Sequence, residues 1–188
     1  ALAGMSMTDA QVWTYGDLKA AVLGTGAGLL QQGLTPGDIV LMRLGNTVDF
    51  PIAYLGAISV GLVPVPTSSQ LTAPEVAKMV AELSPAAILR DPAIAAPDTP
   101  DLPQLSVDAL EAMRDLPPAP FHMGDPERLG YIIYTSGTSG QPRAVCHAHR
   151  AIWARQMMHE GGRESSKLLS LANAGAFNWT FTLGTGLM

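Results

Sequence analysis

The residues best suited to chemistry in this chain form one short run of hydroxyl side chains and glycines. The run consists of Thr135, Ser136, Gly137, Thr138, Ser139, Gly140 and Gln141. Backbone N–H groups at glycine turns, together with hydroxyl groups, can hold the oxygens of one anion, which is how many proteins bind phosphate. Arg143 adds a positive charge just after the run. The sequence therefore predicts a phosphate-binding loop, with a plain polar surface turn as the alternative.

A P-loop NTPase is the natural competing interpretation for a glycine-rich loop that follows a strand. Its motif has four residues between the glycines, followed by lysine and then serine or threonine. Gly137 and Gly140 have two residues between them, and neither Gly-Lys-Ser nor Gly-Lys-Thr occurs in the chain. The spacing argues against a P-loop NTPase.

Three other reactive residues follow the run, namely Cys146, His147 and His149. No second group of cysteines or histidines has the spacing of a metal site, so we predict no metal ligands among them. His149 stands at the start of a predicted helix, where a capping or packing role is expected. Cys146 is expected to be a small buried residue rather than a nucleophile.

Composition excludes several classes of protein. The 188 residues carry a net charge of -5, which argues against general nucleic-acid binding. No run of about twenty apolar residues predicts a transmembrane span, and residues 1–10 lack the features of a signal peptide. Cys146 is the only cysteine, so no internal disulfide forms and a cytoplasmic location is expected.

The segment around the run is basic within an acidic chain. Three acids lie between positions 126 and 167, at Glu127, Glu160 and Glu164, against a larger set of bases: Arg128, Arg143, Arg150, Arg155, Arg163 and Lys167. An anionic ligand explains this excess of positive charge. A solvated helix face explains it equally well for Arg155, Arg163 and Lys167.

The elements that must position the run alternate between strand and helix. Helices are predicted to start at Thr14, with Asp17 three residues on, and at Thr72, with Glu75 three residues on, and a third is predicted over 48–60. Short apolar runs predict strands over 39–44, 62–66, 86–89, 129–134 and 168–172, and a last helix is predicted over 149–160. Alternation with short turns predicts an α/β fold with a parallel sheet.

Residues 91–125 differ from their surroundings because they are dense in proline and acid. We expect a surface connection with at most one short helix, near 107–114. The chain is accordingly divided into a first α/β subdomain over 1–90, a connection over 91–125, and the start of a second α/β subdomain over 126–188. Residues 177–188 are apolar with no stop signal, so we expect the second subdomain to be truncated.

The run and its flanks resemble the phosphate-binding signature of the adenylate-forming enzymes. That signature has an aromatic residue, Thr-Ser-Gly-Thr-Thr-Gly, one variable residue, Pro-Lys-Gly-Val, and a histidine at the next helix start. The chain has Tyr134 before the run and Pro142, Arg143, Ala144 and Val145 after it. Residues 13–18, 33–46 and 57–66 resemble earlier motifs of the same family in the same order. The superfamily contains acyl-CoA synthetases, adenylation domains of nonribosomal peptide synthetases, and luciferases.

The resemblance implies that the chain is the N-terminal part of an acyl- or aryl-CoA synthetase, similar to benzoate-CoA ligases. Such an enzyme uses Mg²⁺-ATP to convert a carboxylic acid into an acyl-adenylate and passes the acyl group to coenzyme A. The loop from Thr135 to Arg143 then holds the phosphates. The acyl pocket is expected to begin at Phe177, Asn178 and Trp179, although core packing is an equal alternative for each of them.

Two departures from the signature bear on activity. Arg143 stands where the family has lysine, and Ala144 stands where it has glycine. Arginine keeps the charge and can contact two phosphate oxygens, so phosphate binding is expected to survive. The family's adenine, ribose and catalytic-lysine motifs have no counterpart in the chain, so the 188 residues alone are expected to be inactive. An amino-acid-adenylating domain and a non-catalytic nucleotide-binding module stay open as alternatives.

Overall fold

The structure is a computed structural model that describes residues 13–136 and 142–160. Helices and strands alternate along most of this length. In chain order they are α1 (Tyr15–Gln31), β1 (Ile39–Arg43), α2 (Asp49–Ser59), β2 (Val63–Pro66), α3 (Ala73–Leu83), β3 (Ala87–Arg90), β4 (Gln104–Ser106), α4 (Val107–Met113), β5 (Leu129–Ser136), β6 (Pro142–Ala148) and α5 (His149–Glu160).

Local side-chain chemistry fixes where the first helices begin. The Thr14 hydroxyl accepts a hydrogen bond from the Asp17 N–H at 3.1 Å, and Asp17 accepts one from the Thr14 N–H at 3.3 Å. At the start of α3, Glu75 accepts from the Thr72 N–H at 2.8 Å. These reciprocal bonds satisfy donors that a helix N-terminus leaves free, which confirms both predicted starts.

Four parallel strands form the main sheet in the order β2-β1-β3-β4. The predicted α/β architecture with a parallel sheet is therefore confirmed. Helices cover both faces of this sheet. Val40 and Met42 of β1 belong to a buried cluster with residues of α1, α2 and α4, whereas Leu41 belongs to a second cluster with Val76 of α3.

Residues 91–125 contribute more to the fold than the sequence suggested. Besides the expected helix α4, they supply β4, which pairs with β3 and adds a strand to the sheet. Leu105, Leu110 and Met113 of this segment are buried. The prediction of a surface connection with at most one short helix was therefore wrong for β4. The division into subdomains stays a prediction.

Arg43 ties two loops to the carboxyl end of the sheet. It is the last residue of β1 and is fully buried, and burial lowers the pKa of its guanidinium. It donates hydrogen bonds to the Ser68 and Leu71 carbonyl oxygens in the loop after β2, and to the Ala95 carbonyl oxygen after β3. Because these acceptors are neutral, the residue serves to fix loop backbones rather than to balance a charge.

The second sheet is an antiparallel hairpin of β5 and β6. It lies against β2, the edge strand of the main sheet, without joining the same sheet. The Val63 N–H donates to the carbonyl oxygen of Asp38, just before β1, and the Thr67 N–H donates to that of Met42 in β1. Pro64 and Pro66 therefore face the other edge, where a strand neighbour would need N–H donors that proline lacks. This explains why the parallel sheet ends at β2.

Candidate functional site

The predicted phosphate-binding residues lie where β5 ends and β6 begins. β5 continues through Thr135 and Ser136, two residues further than the strand predicted over 129–134, and β6 starts at Pro142. Thr135 is the cross-strand partner of Arg143, and Ser136 is the partner of Pro142. The glycine-rich run therefore connects two paired strands, and the ends of that connection are held in register.

Thr135 and Arg143 share one face of the hairpin. Residues directly opposite each other in an antiparallel pair point to the same side of the sheet. Both side chains are exposed. Arg143 forms no salt bridge and no side-chain hydrogen bond with any residue that the structure describes. A hydroxyl donor and a guanidinium are thus placed side by side and are available to an anion.

Eight of the predicted site residues fall outside the described part of the chain or are described only by their backbone. Ser136 is described only by its backbone. Outside the described residues lie Gly137, Thr138, Ser139, Gly140, Phe177, Asn178 and Trp179, as does the strand predicted over 168–172. Their roles stay predictions.

The two faces of the hairpin continue the two layers of the main sheet. On one face, Tyr131 packs against Tyr54 of α2, with ring centroids 6.0 Å apart. The ring of His147 on β6 stacks on the ring of Tyr131 on β5, with the ring centroids 4.5 Å apart. On the opposite face, Ile132 is buried in the cluster that contains Val65 and Val76. The hairpin is therefore held on both sides of the sheet edge, which positions Thr135 and Arg143.

Tyr134 makes a long-range hydrogen bond directly before the candidate site. Its phenol donates to a carboxylate oxygen of Glu82, near the end of α3, at 2.8 Å. Burial, together with the bond and the charge of Glu82, raises the pKa of Tyr134. The phenol consequently stays protonated and remains a donor at neutral pH.

Among the side chains that the structure describes, the basic residues predicted around the loop do not form one cluster. Arg128 and Arg150 flank the far end of the hairpin, where Leu129 pairs with Ala148, and Thr135 is six residues along the strand. That distance is about 20 Å at the rise of an extended strand. Arg150 forms a salt bridge with Glu127, and Arg128 donates to the Asp125 and His122 carbonyl oxygens. An anion at the loop therefore explains Arg143 but neither of these arginines.

His149 begins α5 at that far end of the hairpin. Its backbone N–H donates to the Arg128 carbonyl oxygen at 3.1 Å. Its Nε2 is buried and has no hydrogen-bond partner among the described residues. Burial, followed by the nearby charges of Arg128 and His122, lowers the pKa of His149. The predicted packing role fits this neutral, half-buried ring.

Cys146 departs from its expected environment. Its side chain is exposed, so the prediction of a buried residue was wrong. It lies on β6 opposite Ile132. Across the described ranges 13–136 and 142–160, no group of three or more potential metal-ligating side chains comes together. In the same part of the chain, every helix is too short or too polar to cross a membrane.

The sequence interpretation missed β6, and a signal for it was present. Two apolar stretches separated by about three to five residues that include glycine are typical of a hairpin with a longer connection. Residues 137–141 are such a connection between β5 and β6. The predicted elements did not include this strand, so the pairing of Thr135 with Arg143 was not predicted.

The described residues fit a phosphate group. A phosphate group needs hydrogen-bond donors and positive charge on one side, and arginine can contact two of its oxygens at once. Thr135 and Arg143 supply both from a paired, supported position.

Comparison with known proteins identifies the family of the chain. The AMP-binding enzyme family profile matches residues 1–184. The 4-hydroxybenzoate--CoA/benzoate--CoA ligase of Rhodopseudomonas palustris is 31% identical over 167 residues, which cover 80% of this chain and 30% of that protein. The PKS-NRPS hybrid synthetase acdB of Aspergillus candidus is 34% identical over 151 residues, which cover 77% of this chain and 6% of that protein.

Solved structures show the same fold. The crystal structure of VinN superposes with a TM-score of 0.72 and 25% identity, covering 94% of this chain and 50% of VinN. The N-terminal subdomain of Klebsiella oxytoca NpsA in complex with 3-hydroxybenzoyl-AMSN superposes with a TM-score of 0.69 and 24% identity, covering 79% of this chain and 37% of that one. The chain spans 30% of the length of the benzoate ligase, and a smaller part of the hybrid synthetase. Because the family profile matches nearly every residue, the chain belongs to the AMP-binding enzyme family.

Proposed function

We propose that this chain supplies the phosphate-binding part of an acyl- or aryl-CoA synthetase. The observation that carries the proposal is the pairing of Thr135 with Arg143 at the exposed end of a supported hairpin. Family membership supports ATP as the source of the anion, because the glycine-rich run resembles the phosphate-binding signature of the family. The ligand is then ATP, with Mg²⁺ bound to its phosphates and coenzyme A as the second substrate.

The proposed reaction has two steps. A carboxylate oxygen of the acid attacks the α-phosphorus of ATP, and the bond to the β-phosphate oxygen breaks, so pyrophosphate leaves with the electron pair. The sulfur of coenzyme A then attacks the acyl carbon, the acyl–phosphate bond breaks and AMP leaves. The first step concentrates negative charge on the departing pyrophosphate.

The chain's own residues act on that leaving group. Arg143 neutralises charge on the β- and γ-phosphates, and the Thr135 hydroxyl donates to one of their oxygens. We assign the same donor role to Ser136, Thr138 and Ser139, while Gly137 and Gly140 let the backbone approach the oxygens closely. Phe177, Asn178 and Trp179 are proposed to begin the pocket for the acid.

An amino-acid-adenylating domain is the second candidate, and one observation favours it. Surfactin synthase subunit 2 of Bacillus subtilis is 28% identical over 150 residues, and the hybrid synthetase acdB also matches. Such a domain shares the adenylation step and differs in the acceptor, which is a thiol on a carrier protein rather than coenzyme A.

A substrate panel with the full-length gene product tests the proposal. Aryl acids, aliphatic acids and amino acids are each supplied with Mg²⁺-ATP, and pyrophosphate release is measured with and without coenzyme A. We expect release with aryl or aliphatic acids and formation of a CoA thioester. Release with amino acids alone, independent of coenzyme A, supports the second candidate. No release with any acid, although ATP binds, indicates a non-catalytic nucleotide-binding module.

A further inference from the structure

The bond between Tyr134 and Glu82 links the candidate site to a distant helix. It joins residues 52 positions apart, whereas many of the other side-chain bonds near the surface join residues five or fewer positions apart. Tyr134 directly precedes Thr135 on β5, and its cross-strand partner Ala144 directly follows Arg143. The bond therefore contacts the hairpin at the cross-strand pair next to Thr135 and Arg143.

The position of Glu82 is unfavourable for α3 considered alone. The helix ends at Leu83, so the Glu82 carboxylate lies in the last turn, where no basic residue accompanies it. Negative charge near a helix C-terminus interacts unfavourably with the helix dipole. A residue that is unfavourable for its own helix is expected where its side chain has another role. Here the Glu82 carboxylate accepts the hydrogen bond from the Tyr134 phenol.

The ring and the hydroxyl of Tyr134 have separable roles. The ring packs against the buried cluster that contains Val65 and Val76, and this packing does not need the hydroxyl. Replacement by phenylalanine therefore keeps the apolar contact and removes only the bond to Glu82. The hairpin then keeps its place at the sheet edge but loses its polar attachment to α3.

We propose that Tyr134 is a positioning residue, which fixes Thr135 and Arg143 relative to the main sheet through its bond to Glu82. This inference rests on the proposed phosphate-binding function. In the absence of the bond, the Thr135–Arg143 pair samples more orientations, and a phosphate ligand must order it on binding. The cost appears as weaker affinity for the ligand rather than as loss of the fold.

The test uses the 188-residue chain and two measurements. Calorimetry measures its affinity for Mg²⁺-pyrophosphate, and amide hydrogen exchange is measured at β5 and β6 without ligand. Tyr134→Phe and Glu82→Ala are each expected to weaken pyrophosphate affinity about fivefold, the value of one modest hydrogen bond. Both are expected to speed exchange at Ala144 and Val145. The double variant is expected to be no worse than either single one, since both remove the same bond.

Two controls separate positioning from a general structural effect. Glu82→Gln keeps an acceptor for the phenol and is expected to retain affinity within about twofold. Tyr15→Phe removes a hydroxyl from an exposed tyrosine of α1 and is expected to change neither readout.

The outcomes distinguish this inference from the proposed function. Unchanged affinity and exchange in Tyr134→Phe, or additive effects in the double variant, overturn the positioning role. A wild-type chain that does not bind pyrophosphate contradicts phosphate binding instead. Hydrogen exchange still tests the positioning role in that case, because it needs no ligand. Exchange rates in Tyr134→Phe that equal those of wild type overturn the role.

Discussion

Arg143 is the residue on which phosphate binding depends most directly. It is exposed, lies beside Thr135 and stands where the family signature has lysine. In the full-length protein, Arg143→Ala is expected to lower kcat/KM for ATP about 30-fold, equivalent to about 2 kcal/mol for a lost charge-assisted contact. Arg143→Lys keeps the charge and is expected to stay within about threefold. Steady-state pyrophosphate release measures both.

Arg150→Ala is the matched control, because it removes the same charge at the far end of the hairpin. Its ion pair with Glu127 lies on the surface, where such pairs contribute little. If kcat/KM for ATP falls as much in Arg150→Ala as in Arg143→Ala, the effect comes from the general positive charge of the hairpin. That result contradicts a direct contact between Arg143 and the phosphates.

His149 makes stability depend on pH. Its pKa is lowered by burial and by Arg128 and His122, so the unfolded chain binds a proton more readily than the folded one. Stability is therefore fully present above about pH 6.5, the ordinary value for histidine, and is lost as pH falls through the lowered pKa of the folded protein. Urea midpoints at pH 7.5 and 5.5 measure this loss.

His149→Gln provides the comparison for that pH dependence. Glutamine stays neutral throughout the range, so the difference between the two midpoints is expected to be smaller than in wild type. His122, His147 and His159 are present in both proteins. An equal difference in both proteins contradicts the assignment of the pH dependence to His149.

The elements divide according to whether local sequence determines them. Thr14 with Asp17, and Thr72 with Glu75, mark helix starts because the capping bonds span three residues. β4 has three residues, and only its pairing with β3 defines it. β6 likewise depends on its partner β5. Sequence patterns therefore predicted the helices and most parallel strands, and they missed strands whose stability comes from distant neighbours.

The close approach of α4 to α1 is another feature that sequence patterns cannot show. A Cβ atom added at Gly24 of α1 lies 2.4 Å from the Arg114 carbonyl oxygen, which belongs to the backbone and cannot rotate away. Gly24→Ala is therefore expected to lower the free energy of unfolding by about 2 kcal/mol, despite the better helix propensity of alanine. Chemical denaturation measures the change.

Gly16 on the same helix provides the control. A Cβ atom there has its nearest neighbour, the Thr14 hydroxyl oxygen, at 3.6 Å, which is an ordinary contact. Gly16→Ala is expected to leave stability unchanged or to raise it by up to about 1 kcal/mol. Equal destabilisation by both alanines contradicts an explanation based on the approach of α4.

The whole molecule places its candidate site at the edge of a parallel sheet. Prolines at positions 64 and 66 end that sheet at β2, and the hairpin continues both of its layers without joining it. The resemblance to the adenylate-forming enzymes predicted an anion-binding segment from the sequence. The support of that segment by Tyr54 and Glu82 required the structure, because these two residues are far from the loop along the chain.

The 188-residue chain alone is expected to catalyse no carboxylate-dependent exchange between ATP and pyrophosphate. It spans 30% of the benzoate ligase that it resembles, and it contains no counterpart of the family's adenine, ribose and catalytic-lysine motifs. Phosphate contacts alone bind the leaving group but do not orient the α-phosphorus for attack, and orientation accounts for much of the rate of such reactions. Exchange of labelled pyrophosphate into ATP measures the activity, with the full-length protein as the positive control. A signal from the 188 residues above that of Arg143→Ala would show that the described hairpin belongs to a complete adenylation site.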